Sequence, residues 1–151
     1  MLQQMYPFWA AIIANITAQL LKPVTHYVKT HEWDWHQVFE SGGFPSSHSS
    51  TVAALTLAVG LTDQFSSTLF AVTLMFSLIV VYDAANVRYY AGQNIRITQQ
   101  LIKDIQILTQ TRLDDPIYLT KVKQVLGHKW IEVIGGIGLG LVIAGLMYFI
   151  R

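Results

Sequence analysis

Ser41-Gly42-Gly43-Phe44-Pro45-Ser46-Ser47-His48-Ser49-Ser50 is a run of small and hydroxyl-bearing residues that feeds directly into the apolar stretch 51–61. Glycine lets a backbone approach a ligand closely, Pro45 suits a helix start, and serines supply capping oxygens, so the run reads as a loop entering a helix N-terminus. Unpaired N–H groups and the positive end of the helix dipole favour phosphate there, and His48 is placed to exchange a proton with whatever the loop holds. A capped helix with an incidental histidine explains the same residues equally well.

Around this loop the chain is apolar. Of its 151 residues 52 % are hydrophobic and 13 % charged, with a mean hydropathy of +0.40; a soluble domain carries about 25 % charged residues. One membrane domain over 1–151 is the expectation. The net charge of +1 gives no sign of a nucleic-acid partner, the basic residues being neither numerous nor gathered in an aromatic-rich patch, and none is expected. The absence of cysteine removes disulfides, thiolate metal sites and cysteine nucleophiles.

Apolar stretches at 8–21, 49–61, 65–82 and 131–150 read as four spanning helices. The first is short, carries Asn15, Thr17 and Gln19, is expected to stop at Lys22-Pro23, and reads as a retained helix and not a secretory signal. Residues 24–40 mix Tyr27, Trp33 and Trp35 with charges, which suits an interfacial or re-entrant element. After residue 82 charge enters abruptly. Asp83, at the C-terminal end of a helix, is opposed by the dipole and calls for a cationic partner, Arg88 being the nearest candidate. Residues 93–111 form an amphipathic helix, Asp114-Asp115-Pro116 a turn, and 117–126 a shorter amphipathic piece. The last helix holds Gly135, Gly136, Gly138 and Gly140, which admit a second helix at close range, from this chain or from another copy in a homo-oligomer. The fold expected is thus an all-α membrane bundle of about four transmembrane helices, with amphipathic helices on one face.

His128-Lys129-Trp130-Ile131-Glu132 opens that last helix. Four residues is just over one turn, so Glu132 can accept the second N–H of the His128 imidazole, fixing its tautomer and raising the basicity of the free nitrogen. That is what a nucleophilic histidine needs; a structural hydrogen-bonded pair is the plainer reading. With His48 at the loop and cations at Lys22 and Arg88, the set suits phosphoryl transfer to histidine. HExxH is absent and His26, His31 and His36 lack ligand spacing, so neither metal nor other cofactor is expected.

Pro45-Ser46-Ser47-His48 resembles the Pro-Ser-Gly-His motif of the type 2 phosphatidic acid phosphatase and vanadium haloperoxidase superfamily. His128 with Glu132 resembles its third motif, where the carboxylate is aspartate. The run GGFPSSHSS, then YDAANVR followed by Ala91-Gly92, then LGHKWIEVIGG, is similar to the small divergent branch found as bacterial and plastid membrane proteins. The resemblance implies a metal-independent acid phosphatase working through a phosphohistidine: His128 the nucleophile, Glu132 its orienting carboxylate, His48 the acid that protonates the leaving alkoxide and then activates water. Ser46 and Ser47 would donate to phosphate, and Lys22 resembles the lysine of the first motif. Ser47 stands where the superfamily has glycine, and Val122 where it has an arginine, six residues before His128. Arg88 is nominated as the replacement guanidinium.

A membrane-embedded site of this kind meets lipid headgroups first, so a lipid phosphate is the expected substrate: phosphatidate, phosphatidylglycerophosphate, or a polyprenyl phosphate or diphosphate. With four spans, segments 22–48 and 83–130 lie on one side. They contain Lys22, Lys29, Arg88, Arg96, Lys103, Arg112, Lys121, Lys123 and Lys129, while 62–64 has no basic residue. That bias predicts a cytoplasmic site in a multi-pass cell-membrane protein and favours glycerophospholipid intermediates. Two other readings stay open: a transporter using Glu132, Asp83 and the histidines as an ion relay, and an inactive lipid-binding scaffold.

Overall fold

A computed structural model describes residues 5–40, 42–109 and 129–150. The expected turn at 114–116, the amphipathic piece 117–126, His128 and the side chain of Arg88 lie outside that description. Among the described residues every regular element is helical.

Helix α1 (Tyr6–Thr30) does not stop at Lys22-Pro23. Pro23 lacks the N–H that would bond the Gln19 carbonyl, a loss that commonly breaks a helix. Here the turn is held from outside: the Thr25 hydroxyl donates to the Lys22 carbonyl at 3.0 Å and to the Phe44 carbonyl at 2.6 Å, and Pro23 is buried. The expected end at residue 21 is therefore corrected to His31, whose left-handed φ of 59° closes the helix with a 2.8 Å bond to the Tyr27 carbonyl. The expected interfacial element at 24–40 is in consequence two things, the last turns of α1 and a 3₁₀ turn at Trp35–Phe39 capped by Asp34.

Helix α2 (Ser47–Asp63) starts at its N-cap Ser46 and α3 (Thr68–Tyr82) at Ser67, each cap oxygen accepting from the N–H three residues on. At residue 83 the expectation of a helix end fails. A π-helical segment, Asp83–Val87, carries the chain straight into α4 (Arg88–Thr109). The resulting 42-residue helix is about 63 Å long, twice a bilayer core, so α4 reaches well beyond the span that α3 makes. Asp83 is accordingly an interior residue of a continuous helix and not the terminus that the dipole argument assumed. Helix α5 (Trp130–Ile150) completes the described chain.

Three of these helices meet along rows of residues spaced by four. The buried rows are Tyr6, Ala10, Ala14, Ala18 and Lys22 on α1; Ser46, Ser50, Ala54 and Ala58 on and at the head of α2; Glu132, Gly136, Gly140 and Ala144 on α5. Rows at this spacing are the ridges that interdigitate when helices cross, and small residues let the backbones themselves touch. A Cβ at Gly136 would collide with the Ser46 carbonyl, and one at Gly140 with the Ser50 carbonyl. Gly138 and Gly145 face open space, so the glycines divide between this seam and the outer surface of α5.

Polar pins fix the register: Ser46 N–H to the Glu132 carbonyl at 2.9 Å, the Ser50 hydroxyl to the Ala14 carbonyl at 3.2 Å, Asn15 Nδ2 to Thr51 Oγ1 at 2.9 Å, and the Tyr6 hydroxyl to the Ala144 carbonyl at 2.6 Å. These bonds set α2 and α5 parallel, starting at one level, with α1 antiparallel to both. Helix α3 joins through the Thr56 and Ser77 hydroxyls, 2.7 Å apart.

The core is made of alanine, glycine and serine, whereas Phe76, Ile79, Ile134 and Leu146 are exposed. That inverts the rule for a water-soluble domain and suits a chain surrounded by lipid. Two helices are long and apolar enough to cross a membrane, one within Thr68–Thr109 and one at Trp130–Ile150.

Candidate functional site

Because α2 and α5 begin at the same level, their positive ends point the same way, and the Lys22 end of α1 meets them there. Ser46, whose N–H holds the Glu132 carbonyl, is completely buried. Its hydroxyl is already engaged, accepting from Ser49 N–H at 3.3 Å and from the Ser49 hydroxyl at 3.1 Å. Ser47, 1 % exposed, opens the helix, and its carbonyl accepts from the hydroxyls of Ser50 and Thr51. The serines of the loop thus build the helix start and lock it to its neighbours. His48, half-buried, is the second residue of α2.

Lys22 is 2 % exposed, and its Nζ donates to the Glu40 carbonyl at 2.6 Å. The carboxylates of Glu40 and Glu132 both act on it electrostatically. Gly43 sits over its stem with a φ of +94°, a conformation that glycine adopts without strain. Glu132 is buried as the third residue of α5, and Oε2 accepts from Lys129 N–H at 3.2 Å, the carboxylate half of a capping box. Lys22, Ser46 and Glu132 are therefore brought together from three distant parts of the chain. His128 belongs to the residues just before this cap and lies outside the description; Arg88 opens α4.

A pocket of about 340 Å³ lies above this cluster. Gly43, Lys129 and Glu132 form one side of it, and Tyr89, Gln93 and Arg96 of α4 the other. A second hollow of about 240 Å³ shares Tyr89 and Lys129 with it and adds Asn86, Tyr90 and Trp130. The pocket has two cationic side chains and one carboxylate on its wall, with Lys22 close behind it balanced by Glu40, beside two helix N-termini. Such a balance suits an anion.

Reading the sequence for function singled out Arg88 and passed over Tyr89, Gln93, Arg96 and Lys129. The signal was present: residues 89, 93 and 96 fall at i, i+4 and i+7, one face of a helix. It went unread because the apolar residues further along drew attention to a different face.

The family described as the Divergent PAP2 family matches residues 3–143. A relative from Bacillus subtilis (strain 168), named an uncharacterized membrane protein YuiD, is 35 % identical over 150 residues, covering 95 % of each chain. No solved structure matches. The matched span takes in the loop at Ser46, the π segment and its α4 extension, and the Glu132 cap: the chain belongs to the divergent PAP2 family.

Proposed function

We propose that this chain is a membrane-embedded, metal-independent phosphatase of a lipid phosphate, working through a phosphohistidine. What supports the reading best is the 2.9 Å bond between Ser46 N–H and the Glu132 carbonyl, which ties the Pro-Ser-Ser-His loop to the start of α5, the helix that carries Glu132, beside Lys22. In the reaction an imidazole nitrogen of His128 attacks phosphorus and the bond to the lipid alkoxide breaks. His48 gives its proton to that alkoxide, then takes one from the water that cleaves the P–N bond, returning both histidines to their starting states. Lys22 and the N-termini of α2 and α5 stabilise the charge on the phosphoryl oxygens.

Four helices span the membrane in this reading: α1 and α2 beside the two more apolar ones, their polar residues turned inward and Phe8, Ile16 and Leu20 of α1 turned outward. In this reading the site faces the cytoplasm and meets phosphatidate or phosphatidylglycerophosphate there, a sidedness that the basic residues near the site support.

The test is phosphate release from a panel of lipid phosphates by the purified protein, with and without a chelator. Release that survives chelation, is lost in His128→Ala and passes through an acid-labile phosphoprotein is the expected result. Full activity in His128→Ala sinks the mechanism. Binding of phosphatidate without turnover favours a scaffold, a reading that the engagement of Glu132 on its own helix cap also suits.

A further inference from the structure

We propose that α4 supplies the phosphate-gripping wall of the site, with Arg96 as its guanidinium and Gln93 as a second donor, and that the group gripped is the phosphate monoester of a small lipid headgroup. This rests on the phosphatase reading above, and replaces the arginine missing at position 122 with one from α4.

The geometry carries it in three steps. Arg96 and Gln93 line the same pocket as Glu132 and Lys129, so groups from α4 face the start of α5 across a shared space. The Nε2 amide of Gln93 donates to the Tyr89 hydroxyl at 3.2 Å, which braces both side chains on that face of the helix. Lys129 stands at the N-cap of α5 and lines the same pocket as Arg96, so an anion between the two meets cations carried by two different helices. A guanidinium offers a planar fork that matches two phosphoryl oxygens, which a lysine does not.

Size narrows the ligand. The pocket's roughly 340 Å³ is at the lower end of small-molecule sites, which run from about 300 to 1,000 Å³. That accommodates a phosphate with a short polar stem. The apolar surfaces of α3 and α5 below it leave the tails in lipid.

The experiment measures equilibrium binding by the full-length protein in nanodiscs. One arm uses phosphatidylcholine discs doped with phosphatidate, the other plain discs with soluble glycerol phosphate. Arg96→Ala should weaken binding of phosphatidate at least tenfold, Arg96→Lys should fall between it and the parent, and Gln93→Ala should lose severalfold. Lys103→Ala, on the same helix but away from the pocket, should bind as the parent does. If the parent binds and Arg96→Ala binds equally well, the α4 wall is wrong while the phosphatase reading stands. Equal losses in Arg96→Ala and Lys103→Ala reduce the effect to general attraction between charges and overturn the proposal. Failure of the parent to bind either compound removes both readings. Glycerol phosphate held as tightly as phosphatidate overturns the lipid assignment, and preference for phosphatidate supports it.

Discussion

Alanine placed at two glycines of α5 should move stability in opposite directions. At Gly140 the new methyl would meet the Ser50 carbonyl oxygen below any real contact distance, with Ser50 C and Ala54 N at 3.0 Å. All three are backbone atoms of α2 and cannot rotate aside. Carbon contacts relax near 3.5 Å or beyond, so the seam between α2 and α5 has to open by something on the order of an ångström. Overpacking of this kind costs about 1–3 kcal/mol, and alanine's better helix propensity offsets up to about 1 kcal/mol of it. At Gly138 a methyl meets nothing within 4 Å, so only the propensity gain of about 0.5–1 kcal/mol applies. For a chain of this length each kcal/mol shifts Tm by roughly 2–4 °C. Thermal unfolding in detergent should therefore lower Tm for Gly140→Ala by several degrees and raise it slightly for Gly138→Ala. Gly60→Ala gives an internal comparison: the atoms nearest its methyl belong to the ring of Phe65, an exposed side chain that can swing outward at the expense of its edge contact with Phe70, so the loss should be smaller than at 140. A Gly140→Ala protein as stable as the parent, or equal shifts at 138 and 140, would refute the backbone-contact reasoning.

Two further perturbations probe the ends of the bundle. Tyr6→Phe removes the 2.6 Å bond to the Ala144 carbonyl at the end opposite the pocket; it should cost about 1 kcal/mol in detergent unfolding while leaving phosphatidate binding unchanged. Asp34 is held at about 2, below its ordinary 3.8, by the Gln37 amide and then by the backbone and ring of His36. A carboxyl with a depressed pKa stabilises its surroundings above its ordinary value and stops doing so as pH falls through the lowered one. The 3₁₀ turn should therefore loosen between about pH 4 and pH 2, read by Trp35 fluorescence, and Asp34→Ala should flatten that step.

Much of the frame was legible in the sequence because hydrophobic runs and caps act locally. The hydroxyl-rich loop 41–50 could be named as a helix entry from its neighbours, though the helix expected from residue 49 begins at Ser47 with Ser46 as its cap, and Glu132 could be named as a special carboxylate from its place in an apolar run. Pro23 and Asp83 were misread for a common reason. Each breaks a local rule, and each is overridden by something outside the window: the Phe44 carbonyl reaching Thr25 in one case, a widened helical turn in the other. The small-residue rows were visible as four-residue spacing, Ala10, Ala14 and Ala18 among them, but which helix each row meets depends on partners more than a hundred residues away, as Tyr6 and Ala144 illustrate. The α4 wall was hidden for the same reason, since Arg96 gains meaning only from the helix start it faces.

The π segment at Asp83–Val87 acts as an angular spacer. A π turn holds one residue more than the α turn it replaces, and one residue corresponds to about 100° of rotation around a helix axis. Everything downstream is turned by that amount from where an unbroken α-helix leaving α3 would put it, while α3 itself is held to α2 through Thr56 and Ser77. The direction in which Tyr89, Gln93 and Arg96 point is thus set by a single surplus residue, between two and three turns before Arg96, the charged member of the three. Winding 83–87 as plain α-helix with every residue kept would aim the 89–93–96 face about a quarter-turn away from Glu132, whereas removing one residue from 83–87 should let the segment close as an α turn and leave that face where it is.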